Sequence, residues 1–120
     1  MDSGKNIKVR FYRSPSGNEP VRDWLKSLLP EEKLKMGTDI KTVEFGWPIG
    51  LPVCRSLGEG LWEVRSNFQN RIGRVIFYIK DDTMWLLHGF IKKQQKTPAS
   101  DLDTAKKRKR EIQIAIWKGR

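Results

Sequence analysis

The chain has 120 residues and a mass of 14.0 kDa, which leaves room for one compact domain and excludes a two-domain enzyme. Hydrophobic residues make up 38% of the chain and charged residues 32%, a composition typical of a folded protein. Lysine and arginine number 24 against 14 acidic residues, and this net charge of +10 favours a polyanionic partner, with nucleic acid ahead of an acidic protein and anionic lipid last.

The first half of the chain predicts one strand followed by two helices. Residues 6–13 alternate between apolar and polar side chains, which is the pattern of a half-buried strand. Asn18 is a candidate N-cap for a short amphipathic helix. Pro30 ends that helix and opens a second one. The apolar stripe of the second helix consists of Leu34, Ile40 and Val43.

The second half predicts a meander of strands and a final helix. Residues 47–60 indicate a loop that becomes a short strand around Val53 to Leu57. Two short turns separate the next three strand-like runs, so we expect antiparallel hairpins. Ser100 and Asp103 resemble a capping box that opens a C-terminal helix over about 99–117. The three strands are Leu61 to Asn67, Ile72 to Lys80 and Thr83 to Ile91, and the helical stripe is Leu102, Ala105, Ile112 and Ile116.

These elements give the order β-α-α-β-β-β-β-α in one α+β domain that spans residues 1–120. No run approaches the roughly 18 to 20 apolar residues of a membrane helix, and the N-terminus lacks the apolar stretch of a signal peptide, so we expect a cytoplasmic protein. A single cysteine and a single histidine predict neither an internal disulfide nor a metal site. The sequence also lacks a glycine-rich phosphate loop, and we expect no cofactor.

The hairpin between the second and third of these runs predicts an unusual pair of like charges. If the turn after Asn67 closes symmetrically, Arg65 lies directly across from Arg74. Two facing guanidinium groups favour an anion such as a phosphate between them. The alternative is that both are solvated strand residues, or that one forms a salt bridge with the neighbouring Glu63.

Four further groups of residues are candidates for binding or proton transfer. Lysines follow the last strand, and they either extend the positive surface or simply solubilise a connector. The basic run Lys106 to Arg110 points all around a helix, so we interpret it as an outer face that weakly attracts phosphate. His88 is the side chain expected to titrate near neutrality, although a histidine among apolar neighbours is more often a packed residue. Trp47 and Trp117 lie next to a loop or a terminus and are candidates for stacking or for binding a partner.

Four segments together resemble a known toxin family. LWEVR (61–65), GRVIFY (73–78), LLHGFIKKQQKTP (86–98) and AKKRKREI (105–112) are similar in order and spacing to the RelE/HigB toxins of bacterial type II toxin–antitoxin systems, and most of all to the phage-related HigB-like branch. The resemblance covers nearly the whole chain. It implies a RelE-like fold, in which two N-terminal helices pack on a small, twisted, antiparallel-rich sheet.

The resemblance also implies a metal-independent endoribonuclease that cuts mRNA, usually on the ribosome, and so inhibits translation. In that mechanism the ribose hydroxyl attacks its own neighbouring phosphate. The resemblance implies a cognate antitoxin as partner, with a helix-turn-helix domain, which covers the basic cleft in a hetero-oligomer. The catalytic residues it implies are Arg65 and Arg74, which would stabilise the transition-state phosphate, and Lys92 or Lys93 after the last strand. Proton transfer would fall to one of Lys92, Lys93 and Lys96, or else to His88. The expected RNA-binding residues are Arg71, Lys96, Thr97, Lys106 and Lys109.

Two other functions are compatible with the same residues. One is a non-catalytic module that uses the basic surface to hold RNA or an acidic protein. The other is a ParE-like toxin, which would inhibit DNA gyrase through protein contacts and leave mRNA intact.

Overall fold

A computed structural model describes residues 6–119 of the chain, and it has the element order expected from the sequence. The fold is α+β, with a five-stranded mixed sheet and three helices. The elements in chain order are β1 (Lys8–Phe11), α1 (Pro20–Lys26), α2 (Pro30–Gly46), β2 (Cys54–Gly58), β3 (Leu61–Asn67), β4 (Ile72–Lys80), β5 (Thr83–Ile91) and α3 (Ala99–Gly119).

The sheet has the strand order β1-β5-β4-β3-β2, in which β1 runs parallel to β5 and the other pairs are antiparallel. The predicted hairpin registers are confirmed, since Asn67 faces Ile72 across β3 and β4. The turn between β4 and β5 has two residues, and the positive φ of Asp81 (56°) is typical of such tight hairpins. Strands β2 to β5 therefore form the expected meander, with β1 added at one edge.

Alternation along the strands divides the apolar residues between the two faces of the sheet. One face packs against α1 and α2, and its core includes Met36, Val43 and Phe77. The other face packs against α3, and its core includes Leu61, Leu87 and Ile112. A sheet covered on both faces explains why β4 is buried along most of its length.

The helix boundaries correct two details of the sequence interpretation. Asn18 does not cap α1, because the helix begins at Pro20 behind Glu19 and has no side-chain cap. The capping box at Ser100 was also wrong, because α3 already begins at Ala99 and Ser100 lies within its first turn.

Two apolar residues lie elsewhere than predicted. Leu34 is 73% exposed, and the buried stripe of α2 instead runs through Met36, Ile40 and Val43. Trp47 is partly buried rather than held in a free loop, and its ring packs edge-on against Trp62 at a centroid distance of 4.9 Å.

Among residues 6–119, no helix is both long and apolar enough to cross a bilayer.

Candidate functional site

The two arginines predicted to face each other do so. Arg65 on β3 is the cross-strand partner of Arg74 on β4, so both side chains leave the sheet on the face that α3 covers. Arg74 is 1% exposed, whereas Arg65 is only partly buried. Within residues 6–119 no side-chain hydrogen bond or ion pair engages Arg65, so its guanidinium is available to an external anion.

A buried carboxylate explains how the sheet tolerates Arg74. Glu63 is 2% exposed and lies 3.3 Å from Arg74 Nη1 and 3.3 Å from Arg55 Nη2. The hydroxyl of Thr97 donates a third contact to Glu63 at 2.9 Å. The alternative reading from the sequence, a salt bridge to Glu63, therefore also holds for Arg74. Glu63 thus lies within a cationic cluster that consists of Arg55, Arg65, Arg74 and Lys92.

The loop after β5 folds over this cluster and is fixed to it. Arg74 Nη2 donates to the carbonyl oxygen of Gln95 at 3.2 Å, and Lys92 Nζ donates to the side-chain oxygen of Gln95 at 3.0 Å. Thr97, further along the same loop, is bonded to Glu63. These three contacts hold Lys92 beside the arginines.

Burial and charge act together on Lys92. Desolvation lowers its pKa from the ordinary lysine value, and the positive charges of Arg74, Arg65 and Arg55 lower it further. Glu63 opposes the shift, since a nearby carboxylate favours the ammonium form. Four cations surround one carboxylate, so the cationic cluster carries a net charge of +3 and attracts anions.

His88 belongs to a separate group of contacts next to this cluster. Its Nε2 atom lies 2.6 Å from Asp101 Oδ1 on α3, and its Nδ1 atom lies 3.5 Å from Arg108 Nη1. The ring also stacks on Phe90, the cross-strand partner of Arg74, at 5.6 Å. A carboxylate that fixes an imidazole in this way is a common arrangement for acid–base chemistry.

A register shift explains how a strand residue among apolar neighbours comes to lie against α3. His88 is opposite Ile76 while Leu86 is opposite Phe77, so Leu87 is an extra residue in β5. This bulge turns both Leu87 and His88 towards α3. Simple alternation along the sequence does not reveal it.

The other loop residues expected to contact RNA differ in their availability. Lys93 and Lys96 are exposed on the loop after β5. Lys96 borders a depression of about 520 Å³ together with Arg55, and Lys93 borders a neighbouring one of about 690 Å³. The hydroxyl of Thr97 is buried against Glu63, so it fixes the loop and does not face solvent.

The remaining three predicted residues are engaged in contacts outside the cationic cluster. Arg71 forms two hydrogen bonds, of 2.8 and 2.9 Å, with the carboxylate of Glu32 at the start of α2. Lys106 pairs with Glu59 at 3.2 Å, and Lys109 donates to the carbonyl oxygen of Glu59 in the turn between β2 and β3. The contact of Arg71 with Glu32 attaches the hairpin of β3 and β4 to α2. The two lysine contacts with Glu59 attach α3 to the sheet.

Sequence reasoning missed two residues that contribute to the cluster, and it missed the carboxylate partner of His88. Arg55 enters through the pairing of the short strand β2, which shifts register between Ser56 and Gly58 and is not visible in the sequence pattern. Gln95 contributes its backbone carbonyl to Arg74, which any residue would supply, and its side-chain oxygen to Lys92. Asp101, the partner of His88, could have been found from its place in the first turn of the predicted helix. Among residues 6–119, no group of three or more histidine, cysteine, aspartate or glutamate side chains could hold a metal ion.

Comparison with known proteins shows the family to which the chain belongs. The family model described as "Phage derived protein Gp49-like (DUF891)" matches residues 23–110, which is more than half of the chain and includes the whole cationic cluster. This phage-derived family is associated with toxin–antitoxin modules. A search of curated proteins finds no match to the chain.

Proposed function

Because the chain belongs to the Gp49-like family of phage-derived proteins, we propose that it is the toxin of a type II toxin–antitoxin module and an endoribonuclease of the RelE/HigB type. Its substrate is mRNA, which it cuts on the ribosome. The loss of intact mRNA then blocks translation. The resemblance to RelE/HigB toxins supports this proposal, as does the element order of the fold. The observation that carries it is the cationic cluster, in which four cations meet around one carboxylate at the edge of an open depression.

The proposed reaction needs no group beyond the RNA itself and a few side chains. The 2′-oxygen of a ribose attacks the adjacent phosphorus, the bond from phosphorus to the 5′-oxygen breaks, and a 2′,3′-cyclic phosphate and a 5′-hydroxyl form. A base must accept the proton of the 2′-hydroxyl, and an acid must protonate the 5′-oxygen. Cations must stabilise the additional negative charge on the phosphorane.

The residues of the cluster divide these tasks by their exposure. Arg65 is partly exposed and otherwise unengaged, so it binds the phosphate directly. Arg74 is buried and held by Glu63, so it acts on the phosphate through its charge and by keeping the loop after β5 in place. Lys92, with its pKa lowered by burial and by the arginines, gives up a proton more readily than an ordinary lysine and protonates the leaving oxygen.

His88 is the proposed base. Its Nε2–H donates to Asp101 at 2.6 Å, which orients the ring as carboxylates orient histidines in other hydrolytic sites. Nδ1 is then the atom that accepts the proton, because Arg108 Nη1 lies 3.5 Å from it and donates its shorter bond, of 2.8 Å, to the carbonyl oxygen of Leu87. The ring lies against Phe90, whose cross-strand partner is Arg74. The exposed Lys93 and Lys96 extend the positive surface over which the RNA strand lies.

A test in cells compares four proteins under an inducible promoter: the wild type, Arg65→Met, Lys92→Met and the control Lys33→Met. Lys33 is an exposed residue of α2, on the opposite face of the sheet, so its variant removes a positive charge outside the cluster. We expect growth arrest and new mRNA 5′ ends with the wild type and the control. Loss of the phosphate-binding cation in Arg65→Met should reduce cleavage by about 10²- to 10³-fold. Loss of the proposed general acid in Lys92→Met should reduce it by about 10²- to 10⁴-fold.

Arg65 is a sharper choice for this test than Arg74. Removal of the buried Arg74 leaves Glu63 unpaired, so a loss of activity would also follow from a damaged fold. Full toxicity of Arg65→Met and Lys92→Met would contradict the proposed site.

A second function is favoured by a specific observation. Arg74 and Thr97, both expected at the site, are bound to Glu63, so neither side chain is free to take a direct part in a reaction. A non-catalytic module that binds RNA would have such a fixed positive surface. It would produce RNA binding that Arg65→Met weakens, with intact mRNA in expressing cells. Growth arrest with DNA damage and intact mRNA would instead indicate a ParE-like gyrase inhibitor.

A further inference from the structure

The C-terminal end of α3 extends past the core and leaves an apolar groove beside it. Ile112 is the last residue of α3 that the fold buries, yet the helix continues to Gly119. The final two turns carry Ile114, which is 50% exposed, and Trp117, which is 82% exposed. Helical turns with this much exposed apolar surface contribute little to stability by themselves.

The groove lies between this helix end and the edge strand β1. It has a volume of about 450 Å³, within the range that accommodates large side chains or small ligands. Its walls come from the chain after β1, from Trp85 on β5 and from α3. Its lining is mainly apolar and includes Phe11, Tyr12, Trp85, Ile112 and Ile116. None of the groove's lining residues belongs to the cationic cluster.

The charges around the groove are positive. Arg13 lines it, and the exposed Arg10 lies on β1 as the register partner of Trp85. Lys118 adds a third cation in the last turn of α3. The acidic residue among the lining residues, Glu111, accepts a 2.5 Å hydrogen bond from the Tyr12 hydroxyl and is directed into the fold.

We propose that this groove binds an amphipathic helix of a partner protein whose apolar stripe is flanked by acidic residues. Apolar side chains spaced along one face of a helix fit such a groove, and acidic flanks complement the basic rim. A second copy of this chain would bring an identical basic rim and a charge of +10 against the first, so the charges oppose it.

The groove lies almost entirely outside the part of the chain that the family model matches. Of its ten lining residues, all but Trp85 lie outside the residues 23–110 that the family model matches. If the proposed function is correct, the partner is the antitoxin, so that identification rests on the proposed function. The chemistry of the binding helix rests only on the apolar lining and the basic rim of the groove. Such an antitoxin segment would bind at the edge of β1 and leave the cationic cluster uncovered.

The test uses the full chain and two designed peptides of roughly 20 residues, a length at which a helix begins to be stable. Both peptides carry the same leucine stripe at helical spacing, and one has glutamate flanks where the other has lysine. Binding is followed by ¹H–¹⁵N shifts, including the indole N–H of Trp117. We expect the glutamate peptide to bind at least about tenfold more tightly than the lysine peptide and to shift signals around the groove.

Two charge reversals localise the effect. Arg13→Glu should weaken binding of the glutamate peptide by about tenfold, because it places an acid on the rim. Lys33→Glu on α2 makes the same change in net charge outside the groove and should leave the affinity unchanged.

Equal binding of the two peptides, no binding, or shifts confined to Lys92 and its loop would overturn the proposal. Self-association of the chain that Ile114→Glu abolishes would assign the groove to a second copy instead. A short single-stranded RNA that shifts the groove signals would assign it to nucleic acid. None of these readouts involves RNA cleavage, so failure of the groove and failure of the proposed enzyme are separate results.

Discussion

Replacement of the buried carboxylate at the centre of the cationic cluster should destabilise the protein strongly. Glu63→Gln keeps the shape of the side chain and an oxygen for Thr97, but it removes the negative charge next to Arg74. The side chain of Arg55 is 41% exposed, so water screens its pair with Glu63 and that pair contributes little. The cost comes mainly from Arg74, which is left charged and fully buried.

Breaking a buried ion pair on one side costs about 3 to 5 kcal/mol, and we expect Glu63→Gln to lose that much free energy of unfolding. Urea denaturation followed by circular dichroism and tryptophan fluorescence measures the change. The matched control is Glu59→Gln, whose side chain is 67% exposed and pairs with Lys106, and it should cost less than about 1 kcal/mol.

A double-mutant cycle separates the ion pair from other effects of the substitution. If the cost arises from an uncompensated Arg74, then Glu63→Gln combined with Arg74→Met should be about 2 kcal/mol more stable than the sum of the single changes predicts. A Glu63→Gln protein within about 1 kcal/mol of the wild type, together with additive single changes, would refute the role given to this carboxylate.

Three further predictions concern other parts of the fold. A Cβ atom on Gly89 would lie 2.4 Å from the ring of Trp24, so Gly89→Ala should lower the free energy of unfolding by about 1 to 3 kcal/mol in urea denaturation. A Cβ atom on Gly37, within α2, meets no atom within 4 Å, so Gly37→Ala should raise the free energy of unfolding by about 0.5 to 1 kcal/mol in the same assay. Burial and the carboxylate of Glu111 on α3 raise the pKa of Tyr12 from 10.0 to about 12. The unfolded chain therefore loses this proton at lower pH than the folded protein, and the free energy of unfolding should fall as the pH rises from 10 to 12. Tyr12→Phe should remove this decline from unfolding curves. Burial also raises the pKa of the Cys54 thiol to about 12, so a thiol reagent at neutral pH should label it only on unfolding, and labelling of the native protein would contradict its burial.

The sequence predicts the sheet well because its strands have strong local signals. The bounds of β3, β4 and β5 agree with the three predicted runs, since turn residues separate them and apolar residues fill them. The register between Arg65 and Arg74 follows directly once the turn length is known. Local patterning is therefore sufficient where consecutive strands form hairpins.

The candidate site is less predictable because it depends on departures from that regularity. The bulge at Leu87 brings His88 to Asp101, and a register shift in β2 accompanies the approach of Arg55. Such local irregularities depend on packing in the whole sheet, and a sequence pattern with a period of two does not record them. The choice of Arg74, rather than Arg65, as the partner of Glu63 likewise follows from burial in three dimensions.

The chemistry of RNA ends tests the proposed function most directly. Attack by the ribose hydroxyl leaves a 5′-hydroxyl on the downstream fragment and a 2′,3′-cyclic phosphate on the upstream fragment. Fragments from cells that express the wild type should therefore become ligatable only after phosphorylation of their 5′ ends, and they should be absent with Arg65→Met and present with Lys33→Met. Intact mRNA with the wild type, or fragments that begin with a 5′-phosphate, would contradict the account.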